Sequence, residues 1–262
     1  MSDDDREILV DDDPGTGSDA AQEAGQSAKS ATTDPTRLER LRSRAKEVSD
    51  KIVNGGVDGW GPWKGSIEVA EEHLTKHGDV EKAIQRLIAT HVRLTAGTGF
   101  LTGLGGLITL PVTLPADFTA LWLAEARLGG AIAHLRGYDV RSEEVRSVVL
   151  ISLIGSSAAE ALSQAGVQIG TRSAVSAIKQ VPGHVLIQIN KMVGFRLITK
   201  AGTKGIVNLT KLAPLVGGVV GGGINFTSTR AVGAWAKRNF PAADEAAPSA
   251  PAPPESGGPQ PA

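Results

Sequence analysis

Leu38, Leu41, Ala45, Val48 and Ile52 recur at helical spacing with Arg, Lys and Glu between them, which predicts an amphipathic surface helix. Asn54 to Gly61 then reads as a glycine-rich turn leading into Trp60, Pro62 and Trp63. Asp79 is placed to cap the next helix, with Glu81 in its first turn and a stripe of Val80, Ala83, Ile84, Leu87, Ile88 and His91. Further helices are expected over Phe118 to Arg136, ended by Gly137, and from Ser142-Glu143-Glu144 through Val145, Val148, Val149, Ile151 and Leu153. Two more, around Val175 to Lys179 and Val185 to Lys200, are punctuated by Pro182-Gly183 and Gly202.

Two stretches depart from this amphipathic pattern because they carry no charge. Leu94 to Ala116 is long enough for a membrane span, but it holds five threonines, five glycines, Pro111 and Pro115. A break near Gly105 or Pro111 is expected, with a new helix after Pro115 and Asp117 in its first turn. Leu212 to Thr229 is the second such run, with Gly217, Gly218, Gly221, Gly222 and Gly223. A helix-interior glycine costs on the order of 1 kcal/mol against alanine, so a compensating close contact is required. Gly99 and Gly103, Gly217 and Gly221, and Gly218 and Gly222 make Gly-x-x-x-Gly steps, suited to close helix approach either in lipid or in a tight bundle. The expected fold is all-α: a glycine-rich helical bundle over residues 37–240, between a disordered acidic arm (1–36) and a disordered Ala/Pro-rich tail (241–262).

Charge sharpens that picture. The formal net charge of -1 conceals a segregation, because residues 1–36 hold ten acids and two bases while 37–240 hold 25 bases and 15 acids. From Ala161 to Phe240 there are ten Lys or Arg and no acid. Such a region attracts anions, and the expected partner is an anionic membrane surface or a membrane protein, with the acidic arm as an intramolecular competitor. No nucleic-acid-reading motif accompanies the charge, so nucleic acid is the weaker expectation. Trp60 and Trp63 beside Lys64, and Trp235 beside Lys237 and Arg238, pair amphipathic rings with cations as at bilayer interfaces. With Lys200, Lys204 and Lys211 they form the expected membrane contact. The acidic N-terminal residues lack the basic region and apolar stretch of a signal peptide, which places the expectation at the inner face of the cell membrane, peripheral or partly inserted.

Catalytic signals are weak. There is no cysteine, and His73 and His77 are four apart without the Glu that a zincin needs after the first His. Lys64-Gly65-Ser66 lacks the glycines of a phosphate loop, and no Gly-x-Ser-x-Gly elbow exists. Neither catalysis nor a cofactor is expected on these grounds. The alternative is a soluble helical enzyme or lipid-binding module with a polar site around Asp117, Glu125 and His134, since Asp117 and Glu125 share roughly one helix face.

Two stretches carry a resemblance: GLGGLITLPVTLPADFTALWLAEARLGGAIAHLRGYD over Gly103 to Asp139, and LAPLVGGVVGGGINFTSTRAVGAWAKRNF over Leu212 to Phe240. They resemble the EcsC protein family, over most of residues 55–240. Pro115 and Asp117 look like that family's Pro-x-Asp helix start, and Gly137, Tyr138 and Asp139 like its Tyr-Gly or Gly-Tyr corner. Gly217, Gly221, Gly222 and Asn225 look like its C-terminal glycine-asparagine signature. A similar arrangement occurs in a membrane-associated helical domain fused to some Era-like GTPases, but this chain has no GTPase motif. The resemblance implies an all-helical, membrane-linked bacterial protein and supplies no reaction. Deletion of residues 1–36 is expected to strengthen binding to anionic vesicles in a flotation assay; unchanged binding removes the arm from any competing role.

Overall fold

The most apolar of the described helices, Ala116–Leu135, has few polar residues to offer water. Leu121 to Ala126, Leu128, Ala131, Ile132, Ala133 and Leu135 are all buried, so it must lie at the centre with other helices around it. The structure, a computed structural model, describes residues 35–104, 116–168, 173–204 and 214–242, with side chains over 45–101, 119–155, 157–168, 173–198 and 218–242. The N-terminal arm through residue 34 and the tail from residue 243 therefore lie outside the described residues.

In chain order the helices are α1 (Pro35–Val57), α2 (Ser66–His77), α3 (Val80–Leu104), α4 (Ala116–Leu135), α5 (Glu143–Ser152), α6 (Ala158–Gln164), α7 (Ala174–Ile178), α8 (Gly183–Lys204) and α9 (Pro214–Asn239). A 3-10 turn, Gly155–Ser157, precedes α6. Among the described residues there is no strand, and the one β-bridge joins Trp60 to Trp63. The fold is all-α, as the periodicity predicts. No helix among the described residues is long and apolar enough to cross a membrane. The chain divides at Arg44 into a first unit, whose described part is the opening of α1, and a second unit from Ala45 onward.

Local signals set several boundaries. The Asp79 carboxylate accepts from the Lys82 backbone N–H at 2.7 Å at the start of α3, and Ser142 Oγ accepts from Val145 N–H at 3.4 Å at the start of α5. Gly137, at φ 83°, ends α4 in a Schellman turn in which Tyr138 N–H reaches Ala133 O at 3.0 Å and Gly137 N–H reaches His134 O at 2.9 Å. Asn239 Oδ1, buried near the end of α9, accepts from Ala174 N–H at 2.9 Å and so satisfies the first turn of α7.

The expected turn from Asn54 is corrected: α1 continues helically through Gly55 and Gly56 to Val57. These glycines are there for packing, since a Cβ on Gly56 would meet Ala126 Cβ at 2.6 Å and Leu123 O at 2.8 Å on α4. The helix α2, which the sequence reading passes over, packs beside α4, where a Cβ on Gly130 would meet Ser66 Cβ at 2.9 Å. α9 also runs ten residues beyond the uncharged run ending at Thr229, to Asn239.

The longest shared surface lies between α3 and α9, which run antiparallel. Thr95 meets Thr229 at 2.8 Å near its middle, and Lys237 pairs with Glu81 at 2.9 Å at one end. Toward the other end a Cβ on Gly99 would meet Gly221 O at 2.7 Å, and one on Gly222 would meet Ala96 O at 3.1 Å. Gly97, two residues from Gly99, faces open space. Gly99→Ala is therefore expected to destabilise the protein by about 1–3 kcal/mol through overpacking. Gly97→Ala, by contrast, should stabilise it by about 0.5–1 kcal/mol. Paired urea melts read both, and equal shifts would show that the α3–α9 contact is looser than described.

Candidate functional site

The antiparallel α3 and α9 bring the two uncharged runs to the same end of the molecule. After Arg93, α3 continues for eleven residues without charge, and α9 carries none before Arg230. Glycine and threonine line the contact between them, so the bulky apolar side chains are left facing outward. Leu101 and Val219 are each 67% exposed, and Leu94, Phe100, Ile224 and Phe226 are exposed with them. Scattered exposed apolar residues are ordinary, but six on the uncharged ends of one helix pair make this end the candidate contact region of the described residues. Eleven helical residues extend about 16 Å, close to half of the roughly 30 Å hydrocarbon thickness of a bilayer.

A buried polar cluster sits at the foot of this end. Thr95 Oγ1 contacts Thr229 Oγ1 at 2.8 Å, and Thr229 Oγ1 donates to Glu125 Oε1 of α4 at 3.2 Å. Asn225 Nδ2 donates to Thr95 O at 3.0 Å, tying α9 to the backbone of α3. Glu125 is fully buried, and its carboxylate thus joins three helices. His91, 3% exposed, engages Leu87 O through Nδ1 at 3.0 Å, while its Nε2 is buried without a hydrogen-bond partner. Burial, together with the neighbouring Arg127 guanidinium and, more weakly, His73, pushes the His91 pKa down to about 4 against the pull of the Leu87 carbonyl. Burial lowers the pKa of Arg127 as well.

The residues expected to act at a membrane or in catalysis are distributed unevenly around this end. Gly221, Gly222 and Asn225 lie in the α3–α9 contact itself. Gly217 and Asp117 are placed by backbone only, on the first turns of α9 and α4, and Pro115 lies outside the described residues. Lys200 and Lys204 are placed by backbone on the last turn of α8, and Lys211 lies outside the described residues. The expected site of Asp117, Glu125 and His134 is not assembled among the described side chains. His134 lies nine residues from Glu125, about 13 Å along α4, and its Nε2 faces Glu71 of α2 at 3.6 Å.

The tryptophan and cation pairs also separate. Trp235 packs against the core, Lys237 is held by Glu81, and both sit with the exposed Arg238 at the far end of α9 from Ile224. Thirteen residues separate Ile224 from Lys237, roughly 20 Å. Trp60 and Trp63 are exposed, but Lys64 is engaged by Glu72 and, at 3.3 Å, by Glu68, which raise its pKa. Tyr138 is buried with its ring 5.4 Å from that of Phe240, and burial pushes its hydroxyl pKa up. With Gly137, Asp139, Ser142, Glu144, Val145 and Lys179 it lines a shallow cleft that includes neither Glu125 nor His134. The His73 and His77 rings are 6.2 Å apart, and among the described residues no group of His, Asp or Glu is placed to hold a metal ion.

Comparison of the chain with protein-family models, with curated proteins and with solved structures finds no match. The resemblance to the EcsC family thus rests on the quoted stretches alone.

The signal that sequence reasoning missed is the partnership of Thr95, Thr229 and Glu125, which lie 134 and 104 residues apart. Nothing in local spacing announces such a contact. His91 supplies a measurable consequence. It stays neutral in the folded chain down to about pH 4, whereas an unfolded histidine takes up its proton near pH 6.5. Stability should therefore fall as pH drops from about 6.5 to about 4, by on the order of 3 kcal/mol from this residue, and level off below. Urea midpoints across that range, compared between the wild-type chain and His91→Leu, isolate this contribution; equal slopes would refute the assignment.

Proposed function

We propose that this chain is a non-enzymatic, membrane-associated helical protein of the EcsC type that seats the uncharged end of α3 and α9 in one leaflet of an anionic bilayer. The observation that carries the reading is the outward-facing apolar set of Leu94, Phe100, Leu101, Val219, Ile224 and Phe226 on two helices joined by glycine. Small residues in the contact let the two backbones stay closely packed without a surrounding apolar core, as helix pairs in lipid do. Helical hydrogen bonding satisfies the backbone polar groups that lipid would otherwise leave unpaired.

The depth of the uncharged end suits one leaflet, which agrees with the lack of any membrane-spanning helix among the described residues. The basic excess from Ala161 onward supplies the electrostatic part of the attraction, and Lys204 and Lys211 flank the N-terminus of α9 in the chain. Each basic residue near an anionic leaflet contributes roughly 1 kcal/mol. A peripheral site at the inner face of the cell membrane follows from this reading. The competing reading, an enzyme or lipid-binding module around Asp117, Glu125 and His134, gains no support from the position of His134.

Flotation with phosphatidylserine-containing and neutral vesicles tests the proposal. Leu101→Asp and Val219→Asp should each lower partitioning by roughly 10–100-fold, from lost apolar burial. Both positions are exposed, so the thermal midpoint should hold. Vesicle binding that survives both substitutions would rule out the α3–α9 end as the membrane face.

A further inference from the structure

The turn between α1 and α2 presents two tryptophans in a way that the membrane reading does not use. Trp60 and Trp63 exchange both backbone hydrogen bonds, Trp60 N–H to Trp63 O and Trp63 N–H to Trp60 O, each 3.0 Å. Gly61 and Pro62 form the two-residue loop between them, and Gly61 takes φ 57°, as the first central position of a type II′ turn demands. Gly59, at φ 91°, packs so closely that a Cβ there would meet Trp63 O at 2.7 Å and Gly65 N at 2.9 Å. The turn is thus stiff, and residues directly opposite in a bridge carry their side chains on the same face.

Both side chains are nevertheless in water: Trp60 is 66% and Trp63 50% exposed. Among the described residues neither indole N–H has a hydrogen-bond partner. The surroundings do not suit anionic lipid, because Lys64 is matched by both Glu68 and Glu72. What a rigid, exposed aromatic pair with two free N–H donors does suit is a polyproline II strand. That conformation offers flat pyrrolidine rings to aromatic faces, leaves its carbonyls unpaired, and loses little entropy on docking.

The chain contains one segment of that chemistry. Residues 248–254 read Pro-Ser-Ala-Pro-Ala-Pro-Pro, so Pro248, Pro251 and Pro254 recur every third residue. Polyproline II has three residues per turn, which puts those three rings on one edge. The segment is uncharged, and Glu245 and Glu255 only flank it. It is also within reach. Phe240 packs on Tyr138, just past the end of α4, whereas Trp60 Cβ lies beside Gly55, which faces Leu123 of the same helix. Leu123 and Leu135 are twelve residues apart, about 18 Å along α4. Six to twelve extended residues beyond Ala242 cover roughly 20–40 Å.

We propose that Trp60 and Trp63 form a docking site for a polyproline II strand, and that its occupant is the chain's own segment Pro248 to Pro254. The site is independent of the leaflet reading, since it uses neither α3 nor α9. The test is the set of indole N–H signals in the NMR spectrum of the full-length chain, with the four tryptophans assigned through single Trp→Phe variants. Replacement of the three prolines together, Pro248→Gly, Pro251→Gly and Pro254→Gly, removes the rings and the φ restraint and leaves every described helix unaltered in sequence. The expected result is displacement of the Trp60 and Trp63 signals while those of Trp122 and Trp235 stay in place. Identical Trp60 and Trp63 signals in the two chains overturn the assignment, including the case where both move only on addition of phosphatidylserine vesicles. A displacement shared equally by Trp122 and Trp235 also overturns it, because it reports a change in the core.

Discussion

The close approach of α3 and α9 is the constraint on which the polar cluster at Glu125 and the exposure of the uncharged ends depend. Gly99 has no room for a side chain because Asn225 and the Gly221 carbonyl occupy that space, and Gly233 gives way to Ile88 in the same manner about one helical turn beyond Thr229. Once the backbones are that close, Asn225 reaches Thr95 O, and Thr229 bridges Thr95 and Glu125. A contact made of glycine and threonine leaves no place inside for Leu101, Phe100, Val219 or Phe226. Their exposure is the geometric complement of a small-residue contact.

The cluster at Glu125 divides the α3–α9 pair into two halves of different character. Beyond it lie the uncharged, outwardly apolar ends, and on its other side Glu81 joins Arg136 at 2.5 Å and Lys237 at 2.9 Å, tying α3, α4 and α9 together by charge. Burying the Glu125 carboxyl group costs solvation that its hydrogen bonds must offset, and Thr229 supplies one of them. A sliding of α9 by one turn would break the Thr229–Glu125 and Thr229–Thr95 contacts together. The polar foot therefore specifies the register that presents the apolar ends side by side.

The amino-acid sequence by itself determined what a few neighbouring residues can encode. Asp79 and Ser142 announced helix starts, Gly137 a stop, and apolar periodicity an all-α fold, because capping and amphipathicity act within one or two turns. The uncharged runs and the segregation of charge were equally legible, being properties of composition. Only the tertiary structure decided which neighbours those residues meet. It carried α1 through Gly55-Gly56 because α4 approaches there, matched Lys64 to Glu68 and Glu72, and moved Trp235 and Lys237 to the end of α9 away from the apolar surface. It also separated His134 from Glu125 and gave that carboxylate Thr229, a partner 104 residues away. The physical reason is the range of the interaction: a cap or a stripe is local in sequence, whereas a glycine contact or a buried carboxylate takes its meaning from whichever helix packs against it.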